Sequence, residues 1–257
     1  MAEPVIYRFA AHRFRAIVGA VNLILFNSAH EASEISANDP RARHIREVIR
    51  LGVGDPVYVG VVNGPRGLGK IIADSDAGLT LAIDWEPELP IQHPVRLLVG
   101  VPRPQTARRV LFDAACLGVT GIDFFQAEKG EPSYAKSKLW STDEWRERLW
   151  QGAEQGFATQ LPEVRHFGKL TDALEEIETP GRAALDVYEG VGPLSSLDLP
   201  EQPTTLAIGA ERGWSACERD QLRGAGFQLA GLGERVLRTE SACIAGVSVL
   251  LAKWGRM

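Results

Sequence analysis

The sequence of 257 residues has only three cysteines, Cys116, Cys217 and Cys243. They are odd in number and show no paired spacing, which excludes a disulfide framework and a cysteine-based zinc site. The five histidines, His12, His30, His44, His93 and His166, form no H-E-x-x-H or similar cluster, so no metal centre is indicated. Such thiol usage fits a reducing cytoplasm. No apolar run approaches the roughly 20 residues that a membrane-crossing helix needs. Surplus basic charge is also missing: 28 Lys and Arg against 33 Asp and Glu give a formal net charge of −5. A chain of that balance that handles nucleic acid has to concentrate its cations locally, because phosphate contacts supply much of the affinity. Disorder is excluded by an apolar fraction of 45% against 24% charged, and the length allows one large or two modest domains with real cores.

Arg8, Arg13 and Arg15 precede an apolar stretch over residues 16–26 and together imitate a secretory signal, but Asn22 interrupts the stretch and no small-x-small cleavage pattern follows. A short strand is expected at residues 23–26. Residues 39–51 read as a helix with Asp39 as N-cap, Pro40 at the first position, and Ile45, Val48 and Ile49 as its apolar stripe. Arg43, Arg46 and Arg50 occupy another face, most simply a solvated one. Alternating runs over residues 57–62, 68–73 and 79–83, separated by Gly, Asn and Asp, indicate antiparallel strands of a small barrel. A Pro-rich, charged linker follows over residues 85–94. The stretch G-P-R-G-L-G-K over residues 64–70 meets half of a phosphate-binding P-loop. Ile71 stands where that motif needs a hydroxyl, and a strand rather than a helix follows, so this is a hairpin turn and not a nucleotide site.

From Val95 the pattern changes to β/α alternation: strands over residues 95–101, 121–125 and 183–187, and helices over 106–117 and 142–155. The first helix turns Val110, Leu111 and Ala114 inward, the second Trp145, Leu149 and Ala153. Alternation of this kind builds a parallel sheet covered on both faces. A long polar loop over residues 125–141 carries Lys129, Tyr134, Lys136 and Lys138, which either meet phosphate or decorate a flexible surface.

The C-terminal third is the most specific part. Residues 204–209 are a β-branched, apolar run that ends at glycine. The loop after it leads to the S-x-x-E capping box of Ser215 and Glu218, so a helix begins near Ala216 and stops near Gly224 or Gly226. A strand over 227–230 and a loop over 232–238 come next. From Glu240 a final helix places Cys243, Ile244, Val247, Leu250 and Leu251 on one face. Gly209, Gly213, Gly231 and Gly233 let backbone amides approach a ligand, although spacing alone fits ordinary turns equally well.

The pair I-G-A-E-R-G-W-S-A-C-E over residues 208–218 and L-G-E-R-V-L-R-T-E-S-A over residues 232–242 resembles the two C-terminal signatures of the RsmE-type family, the 16S ribosomal RNA uridine-N3 methyltransferases of the SPOUT class. That family usually reads I-G-P-E-G-G-F-S and L-G-x-R-I-L-R-x-E-T-A. The likeness continues upstream through H-I-R-E-V-I-R-L-G-V-G-D at 44–55, P-R-P at 102–104, L-G-V at 117–119, Glu154-Gln155 and L-P-E-V at 161–164. Ala210 replaces the usual proline and Arg212 a glycine, which sets a long cation beside the first loop. Ala158 stands where many members carry arginine, and Cys116 where Glu often precedes L-G-V.

The resemblance implies an α/β fold with a C-terminal SPOUT domain over residues 93–257, a trefoil knot and a parallel sheet, plus a PUA-like β-barrel that grips RNA over residues 21–86. One branch of the family starts with a strand like residues 21–26, with methionine at the place of Val21, which makes residues 1–20 an extension expected to pack poorly. The knot would offer S-adenosyl-L-methionine a pocket lined by Leu185, Gly209, Glu211, Gly213, Leu232, Gly233, Val236, Leu237 and Arg238. Arg238 is the candidate to stabilise a uracil anion, with Glu211 or Glu240 for proton removal or to complement the sulfonium, unless Arg238 and Glu240 only cap and bridge the last helix. Arg43, His44, Arg46, Arg50 and Lys136 are the candidate RNA contacts. The implied partners are 16S rRNA or the small ribosomal subunit and a second copy of the chain, with no membrane. A SPOUT protein that binds RNA without turnover, or one acting on a different RNA, shares the same sequence features.

Overall fold

The computed structural model describes residues 23–257, so Val21, Asn22 and the expected extension over 1–20 lie outside the described residues. The chain forms two sheets. The first contains β1 (Leu23–Phe26), β2 (Glu34–Ser36), β3 (Pro56–Val61), β4 (Arg66–Ser75) and β5 (Gly78–Trp85), in the order β1-β3-β4-β5-β2. β1 runs parallel to β3 and the other pairs are antiparallel. A register shift between Ile71 and Ala73 bends β4, as bulges do. The alternating inward residues Val57, Val59, Ile71, Leu79 and Leu81 meet Ile24, Phe26 and Ile45 in one core. The resemblance to a P-loop over 64–70 resolves as the end of the β3–β4 turn, where the Gly64 amide donates to Val61 O at 2.8 Å, and the first residues of β4.

Between β1 and β2 lies α1 (Ala29–Ser33), capped by Ser28; sequence periodicity missed both α1 and β2 because neither exceeds five residues. The helix expected over 39–51 starts as expected, with the Asp39 side chain accepting from the Arg41 amide and Pro40 at N1, in α2 (Pro40–Arg43). It then widens into a π-helix (His44–Ile49) and stops at Arg50 in the left-handed region, φ 62°. This widening corrects the expected stripe: Ile45 stays buried, but Val48 is turned out to solvent.

The second sheet is wholly parallel. It contains β6 (His93–Gly100), β7 (Val119–Phe125), β8 (Glu163–Phe167), β9 (Gly181–Leu185), β10 (Thr204–Ile208) and β11 (Gln228–Ala230), in the order β11-β9-β10-β6-β7-β8. One face is covered by α3 (Pro104–Cys116), the short α4 (Lys138–Ser141), α5 (Glu144–Gln155) and the C-terminal α8 (Thr239–Lys253). The other carries α6 (Leu170–Glu175) and α7 (Ala216–Gly224). α3 buries Ala107, Val110, Leu111, Ala114 and Ala115, a stripe at helical spacing. Each fully buried Val or Leu of such a stripe stabilises by roughly 1.5–3 kcal/mol. α8 buries Cys243, Val247, Leu250 and Leu251 as expected, whereas Ile244 is 37% exposed and leaves the predicted face. β8 and α6 were not foreseen: β8 is an edge strand of mixed polarity, with no alternating apolar signal. Its charges have a structural use, since Arg165 of β8 and Arg96 of β6 both donate paired hydrogen bonds to the buried Asp123 of β7 at 2.7–2.9 Å.

The two sheets are buttoned together by the segment after α5. Thr159 Oγ1 donates to Gly64 O at 2.6 Å, the Leu161 amide to Asn63 Oδ1, and Arg66 to Phe157 O while lying over the Phe157 ring. Glu154 completes the junction: one carboxylate oxygen accepts from the Leu25 amide at 3.0 Å and from Trp150 Nε1 at 3.1 Å. Among the described residues, no helix is long and apolar enough to cross a membrane.

Candidate active site

Strand order reverses between β10 and β6. The chain leaves β6 toward α3 on one face and leaves β10 toward α7 on the other, so a crevice opens at their carboxyl ends, where ligands of parallel α/β sheets bind. A cavity of about 720 Å³ lies there, within the size range of small-molecule sites. Its walls are the loops after β9, β10 and β11, together with Arg103, Gln105, Thr106 and Arg109 at the start of α3.

The loop after β10 is held rigidly. Trp214 is buried, donates Nε1 to Leu185 O at 2.9 Å, and stacks on Phe125 with ring centroids 5.8 Å apart and planes 1° apart. Gly213 turns the chain at φ 64°, a conformation that costs most other residues free energy. The capping box is present as read: Ser215 Oγ accepts from the Glu218 amide and Glu218 returns to the Ser215 amide. Glu218 also accepts from the Glu128 amide, and Lys129 Nζ donates to Trp214 O at 2.7 Å. The long polar loop is therefore tied to the pocket wall at Lys129.

The loop after β9 is organised by Asp186, which is why the strand expected over 183–187 ends at Leu185. Its carboxylate accepts from the Tyr188 and Glu189 amides and from Arg219 Nε. Burial raises the Asp186 carboxyl, but the Arg219 guanidinium and the two amides outweigh it and hold the group below the usual carboxylate range. The chain then crosses the end of β11: Val191 N donates to Leu229 O, Gly231 N to Gly192 O, and Leu194 N to Gly231 O. Gly190 sits at the crossing, where a Cβ would stand 2.7 Å from Asp186 O and 2.9 Å from the Gly231 amide.

All of the residues expected to line a cofactor pocket, from Leu185 through Arg238, border this one cavity. The three candidate catalytic groups differ in their engagement. Glu211 Oε1 accepts from the Arg103 amide at 2.7 Å, so it clasps the β10 loop to the β6–α3 junction. Glu240 is buried in the first turn of α8 and accepts from Arg109 Nη1 at 3.1 Å. Arg238 is the N-cap residue of α8 and is exposed, and its guanidinium makes no hydrogen bond or ion pair within the described residues. The candidate RNA contacts lie elsewhere. Arg46 is paired with Asp74 and Ser75 O, while Arg43, His44 and Arg50 are exposed on the π-helical corner and Lys136 on a 3-10 turn. The sequence pattern gave no role to Arg103, Arg109, Asp186, Tyr188, Trp214 or Arg219, although all line the cavity. Pro102-Arg-Pro104, for Arg103, and the 208–218 motif, for Trp214, were the visible signals among them.

A glycine-loop cavity at the switch point of a parallel sheet, bordered by arginines in an otherwise acidic chain, defines an α/β enzyme that brings a small molecule to an anionic substrate. Residues 87–251 match the RNA methyltransferase domain family. The chain is 32% identical over 242 residues to a ribosomal RNA small subunit methyltransferase E of Treponema pallidum, covering 90% of this chain and 91% of that protein. It is 26% identical to the ribosomal RNA small subunit methyltransferase E 1 of Borreliella burgdorferi, covering 91% and 98%. Its fold matches the ribosomal RNA small subunit methyltransferase E of Neisseria gonorrhoeae, solved bound to S-adenosyl methionine, with a TM-score of 0.76 at 20% identity, over 91% of this chain and 98% of that one. The chain belongs to the RNA methyltransferase family.

Proposed function

We propose that this chain transfers the methyl group of S-adenosylmethionine to N3 of a specific uridine in 16S rRNA of the small ribosomal subunit. The observation that carries the reading is the meeting of both glycine-rich motifs in one cavity at the sheet's switch point. The cavity suits the cofactor: Leu185, Leu232, Val236 and Leu237 offer apolar surface to an adenine, and the backbone amides of residues 232–238 donate no hydrogen bond within the described residues. Residues 233–238 are exposed, so these donors are open to a ligand at the cavity mouth.

The cofactor supplies a methyl group already activated on a sulfonium, so the protein's task is alignment, an effect worth about 7–11 kcal/mol in favourable cases. Uracil N3 must lose a proton, and the free guanidinium of Arg238 stabilises the resulting anion. Glu240, two residues from Arg238 and anchored by Arg109, is the better placed of the two acids to take that proton; each acid has one oxygen engaged, Glu240 by Arg109 and Glu211 by the Arg103 amide. N3 lies in the Watson–Crick edge, so the target base is single-stranded or flipped out.

We read the chain as two domains, residues 21–86 and 93–257. The first is a PUA-like barrel that grips RNA through Arg43, His44 and Arg50; the second carries a trefoil knot, supported by the lacing of residues 191–194 onto 229–231. Exposed Val187, Tyr188 and Val236 edge the cavity, with exposed Val191 further along the loop after β9, and favour a homodimer that covers them. Activity on ribosomal RNA supports a cytoplasmic location. Restoring the N3-methyl mark to rRNA of a deletion strain tests the assignment. Arg238→Ala should abolish turnover while shifting stability by less than about 0.5 kcal/mol, as expected for an exposed side chain. Near-normal turnover removes Arg238 from the mechanism.

A further inference from the structure

The six arginines that border the cavity fall into two groups. Arg219 is engaged by Asp186, Arg109 by Glu240 and Arg103 by the Tyr134 hydroxyl. Arg212, Arg235 and Arg238 are exposed and their guanidiniums have no partner within the described residues. Among the described residues only three carboxylates line the same cavity, Asp186, Glu211 and Glu240, and each already accepts from an arginine side chain or from the Arg103 amide. Glu234 is on the loop of Arg235 but outside the lining. Arg212 is the residue that stands where the family pattern has glycine.

On the reading above, this arrangement poses an electrostatic mismatch. The sulfonium cofactor has a net positive charge, its ammonium and carboxylate cancelling, and it enters a cavity whose surplus charge is also positive. The missing anion has to come with the substrate, and guanidiniums suit a phosphodiester, which they bind through two parallel donors. We infer that Arg212 and Arg235 form a phosphate clamp for the RNA backbone beside the target nucleotide, leaving Arg238 to the base, and that RNA seated in it strengthens binding of the cofactor. The coupling is reciprocal, so the cofactor strengthens RNA binding by the same factor. Removal of the methyl group leaves a neutral thioether, which the arginines do not repel. Without RNA the protein therefore prefers the demethylated cofactor, and RNA erases that preference.

Calorimetric titration of the full chain with S-adenosylmethionine and with S-adenosylhomocysteine, each with and without a uridine-containing single-stranded RNA oligonucleotide, tests this. The wild type should bind the demethylated form at least about fivefold tighter in the absence of RNA, the lower end of typical coupling, and nearly equally in its presence. The double variant Arg212→Gln/Arg235→Gln should bind both forms alike with or without RNA. Its log-log salt slope for RNA binding should fall by about 1.4, roughly 0.7 for each single-strand phosphate that the variant no longer neutralises. A wild-type preference that persists in the double variant overturns the clamp, and so does inorganic phosphate that reproduces the whole RNA effect at matched ionic strength. Failure of the wild type to take up either cofactor removes the proposed function itself, and the clamp with it.

Discussion

Replacing Trp214 by phenylalanine removes one hydrogen bond and keeps a ring on Phe125; replacing it by alanine removes both. The ring is 2% exposed and its Nε1 is bonded to Leu185 O at 2.9 Å. Trp214→Phe forfeits that bond and leaves a carbonyl at the end of β9 short of a donor, a loss of about 1–3 kcal/mol. Trp214→Ala also opens a cavity between the sheet and α7, and large aromatic truncations in cores cost about 3–5 kcal/mol. Urea denaturation read from the midpoint at constant slope measures both. Because Trp214 holds the β10 loop against the end of β9, Trp214→Phe should also weaken S-adenosylmethionine binding by about two- to tenfold, the cost of ordering one freed side chain. If Trp214→Ala unfolds within about 0.5 kcal/mol of the wild type, the span of ordinary surface changes, this loop is not held by the packing of its tryptophan.

Gly190→Ala should destabilise by about 1–3 kcal/mol, the usual cost of overpacking, and reduce cofactor uptake, because the added methyl collides with backbone where residues 190–194 cross β11; a variant that takes up cofactor normally contradicts the close crossing. For Asp123, as for Asp186, burial raises the carboxyl but arginine donors prevail and hold it below its ordinary 3.8. The unfolded chain then takes up protons first as pH falls, so this stability is complete above about pH 4 and lost as pH drops through the folded values; Asp186→Asn should flatten the acid limb of a stability–pH curve. Glu154 behaves oppositely, since burial lifts its carboxyl above the ordinary 4.5 despite its two donors. The folded protein loses stability as pH rises through that window; Glu154→Gln, which keeps an acceptor, should remove the loss, while Glu154→Leu should cost about 1–3 kcal/mol for each donor left unpartnered, measured by denaturation at neutral pH.

Where local chemistry dictated the backbone, the sequence was readable. Asp39-Pro40 and the Ser215–Glu218 box start helices at the residues expected, and the glycine after Ile208 closes a strand whose five residues are all buried. The parallel sheet followed from alternation of long, strongly apolar runs. Short elements with weak periodicity, α1, β2 and β8, did not announce themselves. Val48 and Ile244 were misplaced because a π-helical turn and the true angular width of the α8 stripe are set by packing rather than by spacing. The cavity was half legible. Its two motif loops were recognised, but Asp186, Arg109 and Arg103 reach it only through strand order, and a one-dimensional pattern has no means of saying that β6 lies beside β10.

Thr159, Asn63 and Arg66, which join the turn after α5 to the β3–β4 hairpin, act as a calliper. Because they fasten one jaw to the other through main-chain carbonyls and a side-chain amide, they hold the π-helical corner at a set separation from the cavity mouth. A strand of nucleic acid that touched both would have to present its reactive base at that spacing, which would add measured distance to chemical contact as a means of selecting among many identical pyrimidines.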